Sequence, residues 1–267
     1  MSRDVDRPTL VAIAVAAFAL ANLVHEGVGH GGTCLLAGGR ALALSAIHFD
    51  GDLVGLDPAA GKWVAAGGTL ANLALGLVAW AALRAFRGAP GPARFFLWLS
   101  MTVNLLQAAG YWLFSGLGGI GDWAEVIDGW TPHWAFRLGL AALGGSAYWG
   151  AVLLSLRELS PLLGPGPGRW RRGVPLTVIP YLAGGILYVA AGLLNPVGPL
   201  LVLISAAAAS FGGTSGLAWM AQLLRNERRF PPHDGPALSI RRSAPWLAAG
   251  VAVALLFVGV FGPGIRF

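Results

Sequence analysis

The sequence has few charged residues and almost no cysteine. Charged side chains make up 11% of its 267 residues, whereas soluble domains carry roughly 25%. The apolar fraction is 56% and the mean hydropathy is +0.67. This shortage of charge excludes an ordinary soluble domain and indicates a polytopic membrane protein. Because Cys34 is the single cysteine, an intramolecular disulfide is also excluded.

Several familiar functional signatures are missing as well. The chain has no Walker loop, no dinucleotide fingerprint and no G-x-S-x-G elbow in a strand-turn-helix context. No cleavable signal peptide is evident, since the first apolar segment runs directly into polar residues. The net charge of +6 does not indicate nucleic-acid binding, because the arginines lie in short loops between apolar segments. We therefore expect a lipid bilayer as a partner, and no nucleic acid.

The apolar segments predict an all-α fold with about seven transmembrane helices, because a spanning helix needs about 20 apolar residues. A short hairpin or re-entrant segment is expected after the first helix, within 41–56, with a turn at Asp50-Gly51-Asp52. A Pro/Gly-rich break at 162–173 suggests a division into a membrane core over 1–160 and accessory helices over 161–267. The predicted spans are 9–36, 63–83, 95–117, 133–156, 174–194, 197–222 and 244–261.

The distribution of basic residues predicts the orientation. With seven spans and a cytoplasmic N-terminus, 14 of the 18 basic residues lie on the inner side, as the positive-inside rule requires. We expect a multi-pass protein of a bacterial cell membrane. The inner residues are Arg3, Arg7, Arg84, Arg87, Arg94, Arg157, Arg169, Arg171, Arg172, Arg225, Arg228, Arg229, Arg241 and Arg242.

The first apolar segment ends in HEGVGHG (25–31), which carries two histidines and a carboxylate. Ionisable groups at membrane depth are costly and need partners, and a metal ion is the most economical shared partner. His25 and His30 are five residues apart, about 140° on a regular helix, so they cannot chelate one ion there. A local π-bulge would bring them together. In that arrangement His25 and His30 are metal ligands and Glu26 is a general base.

A regular helix leaves a second interpretation open. Glu26, His30 and Cys34 recur every four residues and would share one face, so these three could hold a metal with His25 outside the coordination shell.

Three motifs together resemble the site-2 protease family of intramembrane zinc metalloproteases. The first is HEGVGHG with the short segment after it, although its histidine spacing is one residue longer than the family's. The second is AAGGTLANLALG (65–76), in which Gly68 and Asn72 match the family pattern. The third is Asn104 followed by GYWLFSGLGGIGDW (110–123). The resemblance covers about residues 10–130.

This resemblance implies one zinc ion held by His25, His30 and Asp122, with Glu26 as the catalytic base. It implies a zinc-dependent metallopeptidase that cleaves transmembrane or membrane-proximal protein substrates. Two other functions remain open: a non-proteolytic membrane metalloenzyme or metal-binding protein on the same scaffold, and a transporter or binding protein whose histidines hold an ion or haem.

Other polar residues are weaker candidates. Asn72 is expected to brace the site or to hydrogen-bond across helices. Gln107, Tyr111 and Ser115 recur at a spacing of four and could line a cavity or a helix contact. The acidic and histidine residues of the hairpin region are expected in a solvated loop: His48, Asp50, Asp52 and Asp57.

Overall fold

The computed structural model describes residues 5–86, 88–166, 168–196, 198 and 202–267, and the described chain is mostly helical. Helix α1 begins at Arg7 and ends at Leu36, with a π-helical segment at Val24–Gly31. The later elements follow in chain order: β1 (Arg40–Leu44), β2 (Phe49–Asp52), α2 (Pro58–Ala85), α3 (Pro92–Gly118), α4 (Asp122–Val126), α5 (His133–Leu159) with a 3-10 turn at Ser160–Leu163, α6 (Arg169–Gly192), a π-helical segment at Val202–Gly212, α7 (Gly216–Trp219) with a 3-10 turn at Met220–Arg225, α8 (Ala244–Leu255) with a π-helical turn at Leu256–Val260, and β3 (Ile265–Arg266).

Four helices are long and apolar enough to cross a membrane, by length and composition: Arg7–Leu36, Pro58–Ala85, His133–Leu163 and Arg169–Gly192. They coincide with four of the seven predicted spans. Of the other three, 244–261 contains the shorter apolar helix Ala244–Val260. The segment 197–222 includes residues outside the described part of the chain, and its described part changes helix type at Gly216.

Helix α3 matches the remaining predicted span, 95–117, and lies at the centre of the bundle. It packs against α1, α2 and α5, and every residue from Trp98 to Gly110 is buried. Its polar side chains, among them Asn104 and Gln107, lower its hydropathy. They are tolerated because neighbouring helices, and not lipid tails, surround them.

Local sequence signals set the starts of two long helices. Asp6 caps α1, since its carboxylate accepts a hydrogen bond from the Thr9 amide at 3.0 Å. Asp57 caps α2 in the same way through the Ala59 amide at 2.7 Å. A proline at the start of each helix removes an amide that would have no partner there. Asp57 is therefore a helix cap and not a loop residue.

The segment after α1 is a β-hairpin, and this adds a small sheet to the predicted all-α fold. Strand β1 pairs antiparallel with β2 and also with the C-terminal strand β3. The predicted position of the turn is wrong: Asp50, Gly51 and Asp52 lie in β2, and the chain reverses between Leu44 and Phe49. The Asn22 amide donates a hydrogen bond to the Ala46 carbonyl in that reversal, so the hairpin is tied to α1.

Helices α1 and α2 cross at glycines. A Cβ on Gly29 would lie 2.5 Å from the Gly68 Cα, and a Cβ on Gly67 would lie 2.5 Å from the Gly29 carbonyl oxygen. Such close backbone approach requires glycine at the contact, as is usual where membrane helices cross. The crossing therefore holds the π-helical segment directly against the middle of α2.

The helices after residue 160 pack onto the first part of the chain. Helices α6 and α8 both contact α1. Helix α8 runs in the same direction as α1: a parallel bridge joins Val5 to Ile240 just before the two helices begin, and β3 pairs with β1 after they end. The division into a core at 1–160 and accessory helices at 161–267 stays a prediction.

Candidate metal centre

His25, His30 and Asp122 converge on one point in the structure. The Nε2 atoms of His25 and His30 are 3.1 Å apart. Asp122 Oδ2 lies 3.3 Å from His25 Nε2 and 3.6 Å from His30 Nε2. The side chains are 2%, 12% and 21% exposed, respectively. The three side chains that the sequence and the family resemblance singled out as ligands therefore present their donor atoms to one another.

The π-helical segment Val24–Gly31 is what brings the two histidines together. It contains both histidines, and its wider turn places residues five apart on the same face. The predicted bulge is thus present, and the regular helix required by the second interpretation is not. Cys34 instead lies beneath the hairpin, with Sγ 3.7 Å from the Arg40 carbonyl oxygen.

Hydrogen bonds on the far side of each ring define which nitrogen carries the proton. His25 Nδ1 is 2.6 Å from Asn72 Oδ1, and His30 Nδ1 is 2.7 Å from the Val64 carbonyl oxygen. Both oxygens can only accept, so each neutral imidazole carries its proton on Nδ1. The Nε2 lone pairs therefore face each other and the Asp122 carboxylate.

A chain of amides fixes the orientation of Asn72. Its Nδ2 donates to the Ala21 carbonyl at 3.0 Å and to Asn104 Oδ1 at 2.7 Å. Asn104 Nδ2 in turn donates to the Ser100 carbonyl at 2.8 Å. Because both Asn72 donors are used, only its Oδ1 can face His25. Such partners hold ligating imidazoles in place in metalloproteins, and Asn72 has the bracing role expected from the sequence.

Two glycines turn the chain so that Asp122 reaches the histidines. Helix α3 ends at Gly119, with φ of 67°, and Gly121 has φ of 87° just before α4 begins. Residues with side chains rarely adopt these angles. Asp122 Oδ2 is buried and, within the described ranges, receives no hydrogen bond. Burial raises the pKa of the nearby Glu125 carboxyl, and the Asp122 charge adds to that shift.

Gly68 leaves the space that the imidazoles occupy. A Cβ at this position would lie 2.6 Å from His25 Nε2 and 2.6 Å from His30 Nε2. No side chain fits there without moving the rings. The family-like motif around Gly68 and Asn72 therefore supplies both the clearance for the histidines and the acceptor that orients one of them.

The residues fit a metal ion by their chemistry and spacing. Three electron-rich atoms face one another: the two imidazole Nε2 lone pairs and Asp122 Oδ2. The carboxylate oxygen is buried and receives no hydrogen bond from the described residues. A cation stabilises such an arrangement. Ligand atoms around tetrahedral zinc, at bond lengths of 2.0–2.1 Å, lie about 3.3 Å apart. The observed separations of 3.1, 3.3 and 3.6 Å bracket that value, so the group could hold a metal ion.

Glu26 is buried beside this group without joining it. The side chain is 6% exposed, and its carboxylate accepts a hydrogen bond from the Phe49 amide of β2. The hairpin therefore holds Glu26 at the site. Neither Asn22, which anchors the hairpin, nor the Phe49 amide was identified from the sequence. Hydrophobic patterning does not report a backbone donor, and Asn22 was hidden within the apolar run.

A cavity of about 620 Å³ opens onto the centre. His25, Glu26, His30 and Asp122 line this cavity, and helix α3 contributes Gln107 and Tyr111, two of the three residues predicted to line a cavity. The Tyr111 ring stacks on His25 with centroids 4.5 Å apart. The lining also includes small residues of the Val202–Gly212 segment and Tyr148. Such a size is typical of small-molecule or peptide sites.

The hairpin residues expected in a solvated loop divide into two groups. His48 and Asp50 line the cavity, and burial lowers the pKa of the His48 imidazole. Asp52 instead pairs with Arg40 at 2.6 Å on the outer surface. The hairpin thus forms a wall of the cavity.

No protein-family model, no characterised protein and no solved structure shows a significant match to this chain.

Proposed function

We propose that this protein is an intramembrane zinc metalloprotease that hydrolyses peptide bonds in or near the membrane. The convergence of His25, His30 and Asp122 within 3.6 Å of one another, beside the buried Glu26, carries the proposal. Two imidazoles, one carboxylate and a neighbouring glutamate match the catalytic zinc sites of hydrolases, in which three protein ligands leave one position for water. The resemblance to site-2 proteases points to the same chemistry.

The side chains have separate roles in this proposal. A bound zinc ion would supply Lewis acidity and lower the pKa of a coordinated water to about 7. Asn72 and the Val64 carbonyl hold the imidazoles so that Nε2 faces inward. Glu26 accepts a proton from the attacking water on its carboxylate and returns it to the leaving amine nitrogen. The Phe49 amide orients that carboxylate.

The location of the centre supports a membrane substrate. Its histidines lie on one of the helices long enough to span a bilayer, and the cavity beside them is walled by helices and by the hairpin. A transmembrane or membrane-proximal peptide could reach the metal centre through this cavity. The parallel course of α1 and α8, with the chain ends at opposite ends of these helices, supports an odd number of crossings. We propose seven, in a bacterial cell membrane.

One observation favours a second candidate. Part of the cavity lining is formed by Ala208, Ala209, Gly212 and Gly213, small residues that leave a surface suited to an acyl chain. A non-proteolytic metalloenzyme acting on a lipid-like substrate would use the same metal ligands and the same base, so only the substrate distinguishes the two candidates.

Metal content and hydrolysis of the purified protein, measured before and after Glu26→Gln, test the proposal. We expect about one zinc per chain in the wild type and in Glu26→Gln, and loss of peptide hydrolysis in the variant alone. Glu227→Gln is the matched control, because Glu227 is exposed. Lack of bound metal in wild-type protein supplied with zinc would overturn the proposal. Hydrolysis of lipid esters without peptide cleavage would favour the second candidate.

A further inference from the structure

A second cavity, of about 480 Å³, lies at the opposite end of α1 from the hairpin. It is formed where α1 and α6 begin and where α5 has just ended, and its walls include Leu176, Ile179 and Leu238. Three arginines also line it: Arg7, Arg171 and Arg172. No acidic side chain of the described residues lines this cavity. The cavity thus combines an apolar interior with a cluster of positive charge.

The geometry points to a binding site for an anionic phospholipid, with the headgroup phosphate at Arg171 and Arg172 and an acyl chain against Leu176 and Ile179. This site is independent of the metal centre and rests on the membrane location of the chain. Basic pockets between helices at the cytoplasmic surface bind anionic lipid headgroups. The arginine distribution places this end of the helices on the cytoplasmic side, where such lipids are found.

Arg171 and Arg172 lie at the edge of this cavity. Arg172 Nη2 donates to the Pro165 carbonyl at 2.5 Å, which fixes the guanidinium at the cavity edge. Its Nε is buried, and the described chain provides no acceptor for it. The Arg171 guanidinium lies 5.5 Å from the ring centroid of Trp170, near the helix start. A phosphate could accept hydrogen bonds from both side chains.

The backbone adds to the attraction for an anion. Helix α6 begins at this cavity, at Arg169, so the positive end of its dipole is directed toward it, whereas the Asp6 carboxylate caps the start of α1. Arg169 lies one turn from Arg172, is completely buried, and bonds Ser160 Oγ at 2.7 Å. These charges favour a phosphate over a neutral or zwitterionic headgroup.

Native mass spectrometry of the full chain in detergent tests this site, with phosphatidylglycerol and phosphatidylcholine of matched acyl chains as probes. We expect the wild type to retain phosphatidylglycerol in preference to phosphatidylcholine. The Arg171→Gln/Arg172→Gln variant should bind it about tenfold or more weakly, since each arginine near anionic lipid contributes about 1 kcal/mol. Ile179→Trp, which fills the cavity and keeps the charge, should also lose the lipid. If the double variant fails to fold, the single variant Arg171→Gln replaces it in the same binding measurement.

The matched control removes two inner-side arginines outside the cavity, Arg157→Gln/Arg228→Gln, and should retain the lipid. Competition with millimolar inorganic phosphate distinguishes a lipid site from a phosphate site: weak competition supports the lipid, and complete displacement would overturn the acyl-chain assignment. Equal binding of phosphatidylcholine, or equal losses in the control and the cavity variants, would overturn the proposal.

Discussion

Replacement of Gly68 with alanine is a direct test of the convergence of the two imidazoles. The new methyl group would lie 2.6 Å from both Nε2 atoms, whereas ordinary contact begins at 3.4 Å. The methyl is carried on the backbone of α2 and cannot rotate away. Gly68 also faces the backbone of α1 at Gly29, which limits any movement of α2. The imidazoles must therefore move by about 0.8 Å, the difference between these distances.

That movement is large for a metal site. Coordination distances are held to within about 0.2 Å, and a change in an outer-shell residue alone weakens metal binding about 10–100-fold. Direct displacement of two ligands should raise the dissociation constant for zinc by at least about 100-fold, or about 2.7 kcal/mol. Fold stability without metal should change little, because alanine favours a helix over glycine by about 0.5–1 kcal/mol and offsets part of the steric cost.

The assay is zinc competition against a chromogenic chelator, with thermal unfolding of the metal-free protein measured in parallel. Gly61→Ala is the control on the same helix, because a Cβ there would meet its nearest atom, Glu125 Oε1, at 3.6 Å. Wild-type zinc affinity in Gly68→Ala would refute the reasoning, since the rings could not then occupy the positions described. Equal weakening in Gly61→Ala would show that the effect is not specific to the ligands.

Two further predictions concern the surroundings of the centre. Asn72→Leu removes the acceptor of His25 Nδ1 and should weaken zinc binding about 10–100-fold. The His30 ring should stay in place, because it keeps its own acceptor, the Val64 carbonyl. Metal titration measures the affinity, and an unchanged affinity would contradict the bracing role. The Val54 amide and the Arg40 guanidinium lower the pKa of Asp52, so its stabilisation of the hairpin is present at neutral pH and is lost as pH falls below about 4. Hydrogen exchange of the hairpin amides should be faster in Asp52→Asn than in the wild type at pH 6, and the difference should shrink as the pH falls below about 4. Equal rates at pH 6 would contradict this.

The site could be predicted further than the fold. The five-residue separation of His25 and His30 admits one shared ion only through a widened helical turn, and the glycines between them make that turn accessible. The spacing and the glycines therefore favoured the π-helical segment, although the regular helix with Glu26, His30 and Cys34 on one face stayed open. The position of Asp122 came from the family resemblance, and the left-handed glycines at 119 and 121 explain how the chain places it.

The errors have physical causes. Gly51 was interpreted as a turn residue, but a Cβ there would lie 2.8 Å from the Phe49 ring and 2.9 Å from Cys34 Sγ. This glycine is required for close packing under a strand, and sequence alone does not distinguish that need from a turn. The extent of helix α3 was predicted, but its central position was not, because burial depends on which helices surround it and hydropathy does not contain that information.

The widened turn at Val24–Gly31 has a consequence beyond the histidines. Each residue of a regular helix advances the direction of its side chain by about 100°, whereas the wider turn absorbs the extra residue, so the chain leaves α1 in nearly the direction that a regular helix would give. Deletion of Val28, whose side chain is 64% exposed, would restore the four-residue histidine spacing of soluble zinc proteases. It would also let the widened turn return to a regular helix, in which residues four apart share a face, so the hairpin would still leave α1 on the same side. The ligand spacing of the histidines can therefore change by a single deletion while the hairpin keeps its place beside Glu26.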